Sequence, residues 1–276
     1  MTAQEQYPFT HHPCFSMTRD NLWSRIHLPV ARDCNVKCIF CDHRHGSSCH
    51  TSKPGYSSYV MEPSQAIRRI RLEKEKNPCL KIAAISGPGE PLANRETFET
   101  LQGIVELGYD FRFCLSTNGV LLSESIEALV ELGISTISVT MSAISPNIAM
   151  KLYEWARIDN VIQKGLSMGR EIVERQLQGI RAAIDSSITV KVNSILIPEI
   201  NNQDIILLAR RIAGEGVQLQ NIVPLVPFSN AKHLKPPSTE EIMLARQTAA
   251  KYVQQFTHCK QCRSDVVGIP GNDRIL

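Results

Sequence analysis

The 276 residues contain no apolar run near the ~18 needed for a membrane-crossing helix, so no membrane association is expected. The opening stretch, MTAQEQYPFTHHPC, is polar and lacks the hydrophobic core of a secretion signal. Neither sign of charge dominates: 30 Lys and Arg face 27 Asp and Glu, and a formal +3 is too small to argue for a nucleic-acid partner. Internal repeats, low-complexity tracts and linkers are also missing, which excludes solenoids and tethered arrays. The remainder is ordinary for a globular protein, 21% charged and 43% hydrophobic, long enough for one large domain or two small ones. Cysteine, in contrast, is plentiful: nine residues, several of them clustered. Clustered free thiols fit a reducing, cytoplasmic compartment.

Three of these cysteines, Cys34, Cys38 and Cys41, stand at C-x3-C-x2-C spacing within eight residues. Such spacing arises by accident in roughly one chain per hundred of this composition, so it reads as a metal site. Three thiolates on a four-iron cube leave one iron without a protein ligand, and an open metal position is where chemistry occurs. A structural zinc site is the alternative; it needs a fourth ligand, which His43, His45 or Cys49 would supply. A disulfide staple is disfavoured, because three close cysteines cannot all pair.

Along the chain, residues 1–24 are broken by Pro8 and Pro13 and carry His11, His12 and Cys14, which alone read as structural. A first strand over 25–31 runs straight into the thiol loop, and His27 alternates away from Ile26 and Leu28. Residues 42–60 read as a polar loop. A helix over 62–76 has Pro63 in its first turn, with Ile67, Ile70 and Leu72 inward and its Arg, Glu and Lys residues in solvent. Further strands are expected at 81–86, 111–116, 136–141, 188–196 and 219–225. The helices between them are expected near 95–107, 123–132, 160–184 and 203–214, with a last one at 239–255. Cys79 reads as a buried small residue. Six strands alternating with helices predict an α/β protein with a parallel sheet, either an open doubly wound sheet or a curved partial barrel.

Cys34-Asn35-Val36-Lys37-Cys38-Ile39-Phe40-Cys41 resembles the signature of the radical S-adenosylmethionine (SAM) family, with Phe40 as its aromatic residue. The resemblance implies a partial (β/α)6 TIM barrel over 25–256, flanked by cluster-binding extensions at 1–24 and 257–276. It implies a [4Fe-4S] cluster on Cys34, Cys38 and Cys41 whose open iron chelates SAM, and whose reduction cleaves SAM to a 5'-deoxyadenosyl radical. Gly87, Pro88, Gly89 and Glu90 match the segment that binds the SAM amino group. Phe40, Ser116, Asn118, Asn193 and Ile195 join them as SAM-binding candidates.

Within that family, several stretches in the same order are similar to the nitrogenase-cofactor maturases. They are His12-Pro13-Cys14, 25–31, the thiol loop, 87–93, 115–119, 191–198 and the closing Cys259-Lys260-Gln261-Cys262-Arg263-Ser264-Asp265. The likeness implies two further [4Fe-4S] clusters as substrates, fused with a SAM-derived carbide into an eight-iron precursor. One cluster would sit on Cys14, His27 and Cys114, with His12 as a substitute for His27; the other would sit on Cys259 and Cys262. Implied partners are SAM, iron–sulfur cluster donors and a carrier or scaffold protein of nitrogenase assembly, with a monomer expected. The extra C-terminal domain of many maturases has no counterpart after Asp265. Two segments depart from the family pattern. Its E-x-R-P stands here as Thr51-Ser52-Lys53-Pro54, with Cys49 or His50 as possible replacements, and its T-x-N stands as Thr140-Met141-Ser142. The alternatives are a radical SAM enzyme on an organic substrate with one auxiliary cluster on Cys259 and Cys262, a relative that modifies a different cluster, and a non-catalytic iron–sulfur carrier.

Overall fold

A computed structural model of the protein describes residues 7–41 and 54–276. The chain runs β1 (Ser24–His27), β2 (Val36–Cys38), α1 (Pro63–Lys76), β3 (Leu80–Ile85), α2 (Arg95–Val105), β4 (Arg112–Thr117), α3 (Leu122–Glu131) and β5 (Ile134–Thr140). It continues through α4 (Pro146–Leu152), β6 (Tyr153–Ile158), β7 (Val161–Gln163), α5 (Gly165–Asp185), β8 (Thr189–Leu196), α6 (Pro198–Gly214) and β9 (Leu219–Pro224). It closes with α7 (Thr239–Ala249), β10 (Gln254–Gln255), β11 (Val266–Ile269) and β12 (Asn272–Ile275).

The six strands expected from the sequence are the parallel core, in the spatial order β1-β3-β4-β5-β8-β9. Each new parallel strand adds beside the last, so the sheet winds one way. A doubly wound sheet reverses direction at a switch point, and no reversal occurs among these six parallel strands. Crossovers of one hand then place the helices on one face and leave the other face to curl inward. β10 ends one edge and β12 the other without pairing, so the barrel is partial.

Side chains alternate across this sheet and divide the core in two. Ile26, Leu28, Ala83, Ile85, Phe113 and Leu115 point outward into the layer beneath the helices. Ile82, Ala84, Cys114 and Leu219 point inward and meet Phe15 and Phe256, with Cys14 and Cys259 packed at their edge. The irregular N-terminal segment and the residues after β10 thus close the inner face from below. Burying Phe15 and Phe256 there stabilises the plug by roughly 1.5–3 kcal/mol each.

Several expectations need correction. In α1, Leu72 is exposed and Glu73 is buried. The inner stripe is Ala66, Ile70 and Glu73, spaced i, i+4, i+7, whereas Leu72 lies ~200° from Ile70. Glu73 is tolerated inside because Arg69 (3.5 Å) and Arg274 pair with it. The helix expected from 160 starts only at Gly165; residues 161–163 are the second strand of a hairpin. The last helix stops at Ala249, and an extended segment then carries Phe256 into the inner face. Cys79 is exposed, because Asn77 Oδ1 accepts its amide in a turn that faces outward. The residues after β10 also carry regular structure that the sequence pattern did not show beyond the Pro270-Gly271 turn signal. Their hairpin β11–β12 extends the sheet antiparallel to β1.

That hairpin is locked by Arg25, whose side chain is fully buried. Its guanidinium donates to the Gly268 carbonyl at 2.7 Å and to Asp273 Oδ2 at 2.9 Å. Removing one partner of a buried ion pair strands the other charge. Asp273→Ala is therefore expected to lower stability by about 3–5 kcal/mol, read as the urea midpoint of the metal-free protein. A midpoint equal to that of the parent contradicts the assignment.

Candidate active site

The thiol loop is held from three directions. β2 lies inside it and pairs antiparallel with β6, setting Val36 opposite Ala156 and Cys38 opposite Tyr153. The Arg157 amide donates to the Asn35 carbonyl at 2.6 Å, and the Ile39 amide to Leu152 at 3.0 Å. From the other side, the Gly89 amide donates to Ala31 at 2.7 Å and the Glu90 amide to Asp33 at 2.8 Å. The approach is so close that a Cβ on Gly89 would stand 2.3 Å from the Asp33 carbonyl oxygen. Only glycine fits there.

Asn94 ties the same two loops together. Its Oδ1 accepts the Arg32 and Asp33 amides, both at 3.0 Å, and its Nδ2 donates to the Asp33 and Glu90 carbonyls. In the amino-acid order Asn94 is marked only as a short polar residue just before a helix, and its role at the site is set by the fold. Asn118 reaches across from the end of β4 to donate to Asn35 Oδ1 at 2.7 Å, and lies 4.0 Å from Cys34 Sγ.

These loops rim a cavity of about 390 Å³ at the C-terminal ends of the parallel strands. Cys34, Cys38, Cys41 and Phe40 line it, with Pro88, Gly89, Glu90, Ser116 and Asn118. Asn193 and Ile195 line it from β8. Gly87 does not; it sits behind, where a Cβ would meet Ser264 Oγ at 2.9 Å. The same cavity also receives Cys14, His12, His27, Cys114, Cys259 and Cys262. All the remaining predicted ligands, brought from both termini and two strands, therefore share one chamber with the thiol loop. His43, His45, Cys49, His50 and residues 51–53 lie outside the described residues. Serine in the T-x-N position has a defined role: Ser142 Oγ accepts the Ile195 amide at 2.9 Å, joining the ends of β5 and β8.

The two histidines are in opposite states. His27 Nδ1 lies 2.9 Å from the Arg263 carbonyl. A carbonyl only accepts, so Nδ1 carries the proton and Nε2 is left with a free lone pair. His12 Nδ1 instead accepts the Cys14 amide at 3.1 Å, which puts the proton of a neutral ring on Nε2, an atom with no partner. Burial keeps both rings neutral. It lowers His12 well below the usual range, helped by Lys191, and lowers His27 to about 3, helped by Arg25.

Burial acts oppositely on acids. It pushes the Cys34 thiol up to about 12, with Glu90 adding to the effect, and Cys114 and Cys262 to about 11. Cys38 is raised well above the ordinary thiol value by burial and by its neighbours Cys41 and Cys34. Glu90 is raised to about 7 by burial, against three donors that favour its ionised form: the Asn118 amide at 2.6 Å, the Thr117 hydroxyl at 2.5 Å and the Leu92 amide at 3.1 Å. Among the described residues, no three His, Cys, Asp or Glu side chains converge tightly enough to grip a single metal ion.

Residues 28–212 match the family model described as the Radical SAM superfamily. FeMo cofactor biosynthesis protein NifB of Methanocaldococcus jannaschii is 37% identical over the whole chain, which spans 93% of that protein. The chain belongs to the NifB family of radical SAM proteins. NifB of Klebsiella pneumoniae is 35% identical over 95% of the chain, and the chain spans 58% of it. Among solved structures, a radical SAM methyltransferase from Sphaerobacter thermophilus superposes with a TM-score of 0.60 at 19% identity, over 84% of this chain and 65% of that one. That likeness shows the fold alone.

The radical SAM family implies one [4Fe-4S] cluster and SAM, and the residues present fit both. Donor chemistry supports the cluster: among the described residues the loop offers three thiols and no fourth, and Cys34 and Cys38 are buried where their own protons are hard to lose and where bound iron would take the protons' place. For SAM, the rim offers tight backbone at Gly89 and polar side chains at Ser116, Asn118 and Asn193. Among the described residues, no helix is long and apolar enough to cross a membrane.

Two outcomes follow. Glu90→Gln turns an amide NH2 toward the amide donors that Glu90 accepts, and a mismatched buried donor costs about 1–3 kcal/mol; the urea midpoint should fall accordingly. The raised thiols also set a pH dependence. Between their ordinary value and about 11 the unfolded chain releases these protons while the folded chain keeps them. The contribution of these thiols to the stability of the metal-free protein is thus complete below about pH 9 and declines as pH rises toward 11. Equal urea midpoints at pH 8 and pH 10 would contradict this.

Proposed function

We propose that the protein is a NifB-type maturase that joins two substrate [4Fe-4S] clusters and a SAM-derived carbide into an eight-iron nitrogenase-cofactor precursor. Cys34, Cys38 and Cys41 hold the SAM-binding cluster. Cys14, His27 and Cys114 hold one substrate cluster, and Cys259 with Cys262 holds the other. The observation that carries this reading is the convergence of Cys14, Cys259 and Cys262, from opposite ends of the chain, on the chamber that the thiol loop lines. An enzyme with one auxiliary cluster has no use for ligands from both termini.

His27 is chosen over His12 on its tautomer. Its free Nε2 lone pair is the ligating form, with Nδ1 anchored on the Arg263 carbonyl. When bound, the SAM cluster supplies the electron that cleaves SAM. The chain's own contribution is to orient and to exclude water. Gly89 and Asn118 hold the loop in place, and Phe15 and Phe256 seal the inner face below the reacting groups. Few ligands per substrate cluster suit a cargo that has to leave. Iron–sulfur donors, and a carrier protein that takes the product, are the partners this chemistry requires.

Iron and sulfide analysis after anaerobic reconstitution tests the reading. The intact protein is expected to hold about twelve irons and the Cys34→Ala/Cys38→Ala/Cys41→Ala variant about eight. Retention of about four by the variant favours an organic-substrate enzyme with one auxiliary cluster. Retention of none removes the outer thiols from the ligand set.

A further inference from the structure

One charge in the chamber is unanswered. Lys191, on β8, is 3% exposed and lines the cavity wall. Its Nζ donates to the Cys14 carbonyl at 2.7 Å and lies over the rings of Phe15 at 4.7 Å and Phe256 at 5.2 Å. Among the described residues, no carboxylate forms an ion pair with it. Arg25, the other buried cation of the inner face, has Asp273 as its partner. The groups that do reach its Nζ, a backbone carbonyl and two aromatic rings, carry no negative charge.

Buried ammonium groups are costly unless paired. Aromatic faces and one carbonyl ease the cost without cancelling the charge. The geometry required of a counter-ion is narrow. It must lie inside the chamber, near Cys14 and Cys114, because Lys191 is anchored on the Cys14 backbone and shares the cavity wall with both cysteines.

We propose that Lys191 is the fixed counter-charge for an anionic guest at the Cys14–Cys114 end of the chamber: an iron–sulfur cluster whose thiolate and sulfide shell faces the ammonium. It is a positioning residue that acts through space, and the inference rests on the maturase reading above. A fixed positive charge beside such a cluster favours the state with one more electron. Lys191 therefore holds this cluster more readily reducible than its ligands alone would.

The test is an EPR-monitored redox titration of the reconstituted full chain in the Cys34→Ala/Cys38→Ala/Cys41→Ala background, where only the outer clusters report. Lys191→Met is expected to lower the potential of one cluster by about 59 mV, a tenfold change in a one-electron equilibrium constant. Lys191→Arg, which keeps the charge, is expected to stay within about threefold of the parent. Metal-free Lys191→Met should unfold at the same urea concentration as the parent or higher, since an unpaired buried charge has been removed. Should that variant misfold, Lys191→Gln takes its place in the titration. Parent-like potentials in Lys191→Met overturn the proposal, as does an equal shift in Lys191→Arg, which assigns the effect to packing. Absence of outer iron in the parent background overturns the maturase reading and this inference together. Outer iron with an unmoved potential overturns this inference alone.

Discussion

The alternation of side chains along six parallel strands is the constraint from which the rest of the structure follows. A strand presents successive residues to opposite faces. Once the crossovers place every helix on one face, every second residue is committed to the other. Ile26 and Leu28 must then meet helices, and Arg25 and His27 must meet whatever fills the interior. The same parity sends Cys114 inward between Phe113 and Leu115. A one-residue slip in β1 or β4 would exchange ligand candidates for core residues.

The concave face created in this way cannot be closed by the sheet itself, and the chain ends close it. The N-terminal segment brings Phe15, His12 and Cys14 from one direction, and the stretch after β10 brings Phe256, Cys259 and Cys262 from the other. Apolar closure and delivery of the candidate ligands are the same event, because each aromatic plug residue stands within three positions of a thiol. The hairpin β11–β12 fixes the second of these segments through Arg25 and Asp273. Folding of the tail and assembly of the chamber are therefore coupled.

Inside, the electrostatics suit a guest that arrives with its own charge. Without metal, burial keeps the Cys34 and Cys114 thiols protonated and the His12 and His27 rings neutral, so these groups add no charge to the chamber. Iron reverses this logic by replacing thiol protons, as bound cations do generally. Glu90 shows the opposite strategy. Two of its three donors, the Thr117 hydroxyl and the Asn118 amide, fasten the end of β4 to the Gly-Pro-Gly-Glu turn, which makes it a structural clamp at the cavity rim.

Much of this was legible in the amino-acid order. Six strands, their alternation with helices and the C-x3-C-x2-C loop at the end of the first strand depend on local periodicity and spacing, which a linear sequence carries in full. Ser142 shows where reading stops: as a substitution it looked like a loss, and its hydroxyl instead bonds the Ile195 amide on a neighbouring strand. Glu73 and Leu72 exchanged their expected environments because arginine partners on the same helix and on β12 decide whether a carboxylate can be buried. The choice between a doubly wound sheet and a partial barrel, the opposite tautomers of His12 and His27, and the unpaired charge of Lys191 were decided only by tertiary structure. Each depends on groups remote in the chain: the order of strands in space, the Arg263 carbonyl more than 200 residues from His27, and the lack, among the described residues, of a carboxylate paired with the Lys191 ammonium. Sequence determines which residues can bind iron; the fold determines which of them face one another, because a hydrogen bond or a counter-charge is a relation between two places in space.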